Sequence, residues 1–214
     1  MSKLARKTAK FLVAGNSFSI NSVDFSKVNI PCIAVNRFLR YSEEHGYVPD
    51  YLLIVDDDVI QQEYERIKKF HPKLILYGPL WHNYHEDLEQ YCDEVEWVTI
   101  RHVGSPNPKL SGHLFLSSNT ATYAIEMAYR KLGGVGEIGI IGIDFFHLDK
   151  ENTHFYGNGA KFGAKAVWER PLRWFSDNKD FFEQENFKLY NLSPYHKQSP
   201  LSWMNYKDFE EFVS

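Results

Sequence analysis

The chain has 214 residues, enough for one α/β domain with a real core. Its 43% hydrophobic and 16% aromatic content excludes a disordered chain, and a formal charge of −4 leaves no basic footprint for nucleic acid. No apolar run approaches the roughly 20 residues needed to span a bilayer, and the basic start (Lys3, Arg6, Lys7, Lys10) lacks the apolar stretch of a secretory signal, so a cytoplasmic, non-transmembrane protein is expected. Cys32 and Cys92 lie far apart without His or Cys at metal-ligand spacing and read as two reduced, buried thiols.

Residues 11–14 read as a first strand that breaks into Gly15-Asn16-Ser17. Glycine there allows close backbone approach to a ligand and Asn and Ser add donors, although ordinary turn chemistry uses the same residues. Neither a Gly-x-Gly-x-x-Gly fingerprint nor a P-loop is present. A polar connection with Asp24 and Ser26 leads to a second strand, 30–35, ending on Asn36. Residues 49–55 form a third, ending on Asp56-Asp57-Asp58. Asp56 and Asp58 have the Asp-x-Asp spacing with which many glycosyltransferases of the A fold hold Mg²⁺ or Mn²⁺ against a sugar diphosphate. The same acids fit a helix start capped by Asp57 or Asp58, with Val59, Ile60, Tyr64 and Ile67 at helical spacing.

Residues 73–77 give a further strand, closed by Gly78-Pro79. His82 and His85, with Glu86 and Asp87, form a local charged cluster that fits a solvated helix face better than a metal site. Residues 96–100 add a strand, and 104–112 a loop over the site. Ser117-Ser118-Asn119-Thr120 opens a helix with Ala121, Ala124, Ile125, Ala128 and Leu132 on one face, stopped by Gly133; its start is either an anion site or simply capped. Residues 138–144, Ile-Gly-Ile-Ile-Gly-Ile-Asp, read as a strand buried on both faces of a parallel sheet. Asp144 stands at its carboxyl end, where open α/β sheets place ligands and where an acid can also merely cap a turn. The loop beyond carries Phe145, Phe146, His147, His154 and Tyr156. Residues 164–185 read as helical with Pro171 in the first turn of a separate helix; 187–191 is the last strand, and 209–213 an amphipathic end. Polar strand ends at Asn16, Asn36, Asp56 and Asp144 would share one rim if the strands are parallel. The expected fold is α/β, a Rossmann-like doubly wound, mostly parallel sheet in a single domain over 1–214.

In order along the chain, Ala14-Gly15-Asn16-Ser17, Asp24-Phe25-Ser26, Asn36-Arg37-Phe38, Ser117-Ser118, Gly142-Ile143-Asp144-Phe145-Phe146 and 188–194 resemble the bacterial sialyltransferases of glycosyltransferase family 42. The resemblance implies a glycosyltransferase A-like variant of the fold and a CMP-sugar pocket, with Gly15, Asn16 and Asn36 on the nucleotide, Ser117 and Ser118 at the helix start, and Phe145 near the base or ribose. The chain departs from the family at Asp56, where an Asn holds the donor phosphate, at Phe146, where a Tyr is usual, and at Leu114-Phe115-Leu116, which lacks an Arg. The family's general-base His has no counterpart between Lys161 and Arg173; His154 is the nearest substitute, and Tyr156 stands in for a second loop Tyr. The same core is similar to archaeal-type 6-hydroxymethyl-dihydropterin pyrophosphokinases through Pro49-Asp50-Tyr51 with Asp56, and Gly142-Ile143-Asp144 with Thr153-His154-Phe155-Tyr156-Gly157.

The expectation is sugar transfer from a nucleotide sugar, of CMP-sialic-acid type first, to a glycan or other hydroxyl acceptor. His154, Tyr156 and Asp144 are the catalytic candidates. Gly15, Asn16, Ser17, Asn36, Ser117, Ser118, Asn119, Gly142, Phe145 and Phe146 are the donor-binding candidates, and Asp56 and Asp58 would hold Mg²⁺ or Mn²⁺. The alternatives are a Mg²⁺-dependent pyrophosphokinase and a catalytically inactive nucleotide-binding or assembly protein on the same scaffold; a homo-oligomer is compatible with all three.

Overall fold

A computed structural model describes residues 9–92, 94–98, 100–101, 114–115, 119–144, 154–156, 165–183 and 185–214. Lys3, Arg6, Lys7, the loop 104–112, Ser117, Ser118, Phe145, Phe146, His147, Thr153 and Gly157 lie outside the described residues.

Seven strands form one parallel sheet: β1 (Lys10–Ala14), β2 (Cys32–Val35), β3 (Tyr51–Ile54), β4 (Lys73–Tyr77), β5 (Val95–Val98), β8 (Gly136–Ile141) and β9 (Phe187–Asn191). Their order is β5-β4-β3-β2-β1-β8-β9. The chain steps outward from β1 to β5, then returns to the other side of β1 at β8, so the reversal of strand order falls between β1 and β8.

Strands such as Cys32-Ile33-Ala34-Val35 are buried at every position because both faces of the sheet are covered. Alternate side chains enter two separate cores. Val13, Ile33, Leu53, Ile75 and Ile140 meet Ala124, Ile125 and Ala128 of α4 (Thr120–Lys131) and Trp174 and Phe175 of α5 (Lys165–Asp177). Leu12, Ala34, Leu52 and Leu74 meet Leu39 of α1 (Leu39–His45), Val59 and Ile60 of α2 (Asp57–Phe70), Leu88 of α3 (Trp81–Tyr91) and Phe212 of α7 (Phe209–Val213). Stepping in opposite directions from β1 with crossovers of one hand sends the connecting helices to opposite faces, as a doubly wound sheet requires.

Several local expectations change. Residues 96–100 do not form one strand: β5 ends at Val98, and Ile100–Arg101 (β6) pairs in parallel with Leu114–Phe115 (β7) in a separate two-stranded ribbon. Pro171 does not begin a helix but lies inside α5, and the break comes at Asn178, whose side-chain amide donates to the Trp174 carbonyl at 2.7 Å. An Asn that bonds the last carbonyls competes with the helix ladder and ends it, after which α6 (Lys179–Phe182) starts afresh. The helix α1 follows Asn36 unannounced, held by buried Phe38, Leu39 and Tyr41 and stopped by Gly46 at φ +78°. Both cysteines are buried, and burial pushes the Cys32 thiol up to about 12. Among the described residues no helix is long and apolar enough to cross a membrane.

Candidate functional site

The parallel register puts the carboxyl ends of β1, β2, β3 and β8 along one rim. At its centre β1 and β8 stay paired beyond their strands. Gly15 N–H donates to the Ile141 carbonyl and Ser17 N–H to the Gly142 carbonyl, each at 2.8 Å. The approach is so close that a Cβ on Gly15 would lie 2.1 Å from the Gly142 oxygen, and Gly142 itself has φ +71°. Asp144 is 2% exposed, and its Oδ2 accepts the Ser19 N–H at 2.8 Å. The Gly142 N–H in turn donates to the Ser19 hydroxyl oxygen at 3.0 Å. A buried carboxylate that accepts a backbone N–H fixes the loop after β1 against the end of β8.

Toward β2 and β3 the groups are less committed. Asn16 donates from Nδ2 to the Val35 carbonyl at 3.0 Å, and Asn36, in the left-handed region at φ +52°, donates from Nδ2 to Thr120 Oγ1 at 3.2 Å. The Oδ1 atoms of both asparagines are buried without a hydrogen-bond partner among the described residues. The Asn36 bond brings the first residue of α4, and with it the positive end of the helix dipole, to the rim. Asn119 caps that helix, accepting the Thr122 N–H at 3.0 Å.

The segment 154–156 closes over these ends. His154 bridges to Ser17 in antiparallel fashion, and Phe155 N–H donates to the Asn16 carbonyl at 3.0 Å. The His154 and Tyr156 rings stack at 5.1 Å. Burial, and then the charge of Arg37, lower His154 to about 4, so it is neutral at pH 7. Burial raises the Tyr156 hydroxyl, against the opposing pull of Arg37, which donates to it. No protein-family model and no curated protein sequence matches the chain.

Asp56 precedes α2 and accepts the Val59 and Ile60 N–H groups through its carbonyl, leaving its side chain outside the cap. Although that side chain keeps solvent contact, the surrounding protein raises its pKa most, Arg37 opposes the rise and Asp58 adds to it. Asp57 is engaged, accepting from Tyr84 at 2.7 Å and Gln61 at 2.9 Å. Asp56 and Asp58 are thus the carboxylates open to a hard cation; among the described residues no group of three or more His, Cys, Asp or Glu gathers at a metal-binding spacing. Asp50 lies at the opposite end of the sheet, accepting the Cys32 N–H at 2.8 Å.

The rim thus brings together Gly15, Asn16, Ser17, Asn36, Gly142, Asp144, His154 and Tyr156, with Asn119 at the adjoining helix start and Asp56 joined to them through the field of Arg37. Two further residues at the rim, Arg37 and Ser19, were not among the site candidates of the sequence. Arg37 follows a strand-ending Asn, which was the available signal. Ser19 had none, because its partner Asp144 is 125 positions away.

Proposed function

We propose that the chain binds a nucleotide-activated donor across the carboxyl ends of β1, β2 and β3 and transfers its sugar to a glycan hydroxyl, with a CMP-sialic-acid-type donor as first choice. One observation carries the reading: four separate stretches, at Asn16, Asn36-Arg37, Asp56 and 154–156, meet at one rim, where Phe155 N–H donates to the Asn16 carbonyl, Asn36 reaches Thr120, and the charge of Arg37 acts on Asp56, His154 and Tyr156. The Asn16 and Asn36 Oδ1 acceptors, without a partner among the described residues, suit ribose hydroxyls or base N–H donors. His154, neutral at pH 7, takes the acceptor hydroxyl's proton as that oxygen attacks the anomeric carbon and the bond from that carbon to the donor phosphate breaks, releasing CMP. An anion beside Arg37 would offset one of the two causes that depress His154 and so strengthen it as a base. Asp144 acts by position, holding the loop that presents Asn16.

Isothermal calorimetry with CMP, UDP, GDP and ATP, each with and without Mg²⁺ or Mn²⁺, tests the reading. One nucleotide should bind, and Asn16→Ala or Asn36→Ala should weaken it by about tenfold, the loss of one or two good hydrogen bonds. Binding of none of the four to the folded protein would overturn it. Sugar transfer at the wild-type rate by His154→Ala would remove that residue from the chemistry. The pyrophosphokinase reading draws on Asp56 and Asp58 sharing one field, two acids that could hold Mg²⁺ on ATP. It requires ATP cleavage to AMP with a pterin alcohol, abolished by EDTA; a nucleotide bound without turnover would instead favour an inactive binding protein.

A further inference from the structure

Two guanidinium groups flank Tyr156, and their partners differ. Arg40 lies 4.9 Å from the Tyr156 ring centroid and donates at 2.9 Å to Glu63, a carboxylate with no exposed side-chain surface. Its charge is matched. Arg37 is half-buried and held by a neutral amide: Nε and Nη2 donate to Gln62 Oε1 at 3.1 and 2.8 Å, and a further bond goes to the Tyr156 hydroxyl. Among the described residues no ion pair forms at Arg37, and its remaining N–H donors are unclaimed. A guanidinium oriented by neutral groups, with no ion pair and with N–H donors to spare among the described residues, is a receptor for a planar or tetrahedral oxyanion. The start of α4, tied to the neighbouring Asn36 through Thr120, adds positive potential on the same rim.

We infer that Arg37 receives the phosphate of the donor, so that recognition of the phosphorylated ligand at this rim needs no divalent cation. The inference rests on the nucleotide-donor reading of the same site. It also resolves the difficulty of an acid, Asp56, beside a phosphate: the guanidinium that already faces Asp56 supplies the compensating charge.

The test is calorimetry on the full chain in EDTA, with pyrophosphate, with CMP, UDP, GDP and ATP, and with the matching nucleosides, for wild type, Arg37→Gln and Arg37→Lys. Wild type should bind a nucleotide without added metal. Arg37→Gln should weaken nucleotide and pyrophosphate by about tenfold or more while leaving the nucleoside unchanged, and Arg37→Lys should recover part of the loss. Equal nucleotide binding by Arg37→Gln, or loss of wild-type binding in EDTA, overturns the inference and leaves the nucleotide-donor reading standing. Pyrophosphate bound through Arg37 with no nucleotide bound keeps the anion site and removes the nucleotide reading. If neither binds, both fall.

Discussion

The two halves of the rim differ in how their polar groups are used. Between β1 and β8, where strand order reverses and a ligand crevice is the usual expectation, the chain fills the gap itself: Gly15 and Gly142 meet backbone to backbone, and Asp144 and Ser19 lock the junction. Toward β2 and β3, Asn16 and Asn36 each keep a buried oxygen without a hydrogen-bond partner among the described residues, and Arg37 forms no ion pair among them. A strand-end acid in the first half holds the frame, while a strand-end amide or cation in the second is free to meet a ligand. Position in the sheet alone does not distinguish the two.

The sharpest way to break this contrast is Gly15→Ala. With 2.1 Å to the Gly142 oxygen there is no room for a methyl group, and urea unfolding should show a loss of about 3 kcal/mol or more, or no folded protein. Wild-type stability would mean the junction is looser than its geometry. Asp144→Ala comes next: it leaves the buried Ser19 N–H unpaired, for an expected loss of about 2 kcal/mol by the same measurement.

The open half should respond to pH. His154 has a folded pKa of about 4 against 6.5 when unfolded, so the unfolded chain takes up a proton first as pH falls. His154 contributes no pH dependence above 6.5; stability is lost between 6.5 and 4 and the loss is complete below 4. Allowing for its partial exposure the effect is on the order of 1 kcal/mol, read as a steeper fall in melting temperature over that window for wild type than for His154→Gln. Parallel curves would mean that His154 is solvated. The smallest effect is expected of Arg37→Gln, which breaks bonds only to Gln62 and Tyr156 among the described residues and should shift unfolding by less than about 0.5 kcal/mol. A large loss there would make Arg37 part of the frame and erase the difference between the halves.

The sequence by itself determined the layers. Short apolar runs such as 32–35 and 138–143, ended by Asn36 and Asp144, specify buried parallel strands with their polar ends on one side, because hydrophobic period and strand ends are local properties. Asn16, Asn36, Asp56 and Asp144 were legible for that reason. Only the tertiary structure decided which of them are engaged. Asp144 and Asn36 look alike as strand-ending polar residues, yet one is tied to Ser19 across the junction and the other reaches the start of α4 through Thr120. Hydrogen bonds between residues far apart in sequence leave no periodic trace, and the field of one guanidinium on His154, Tyr156 and Asp56 exists only once the fold has brought them together.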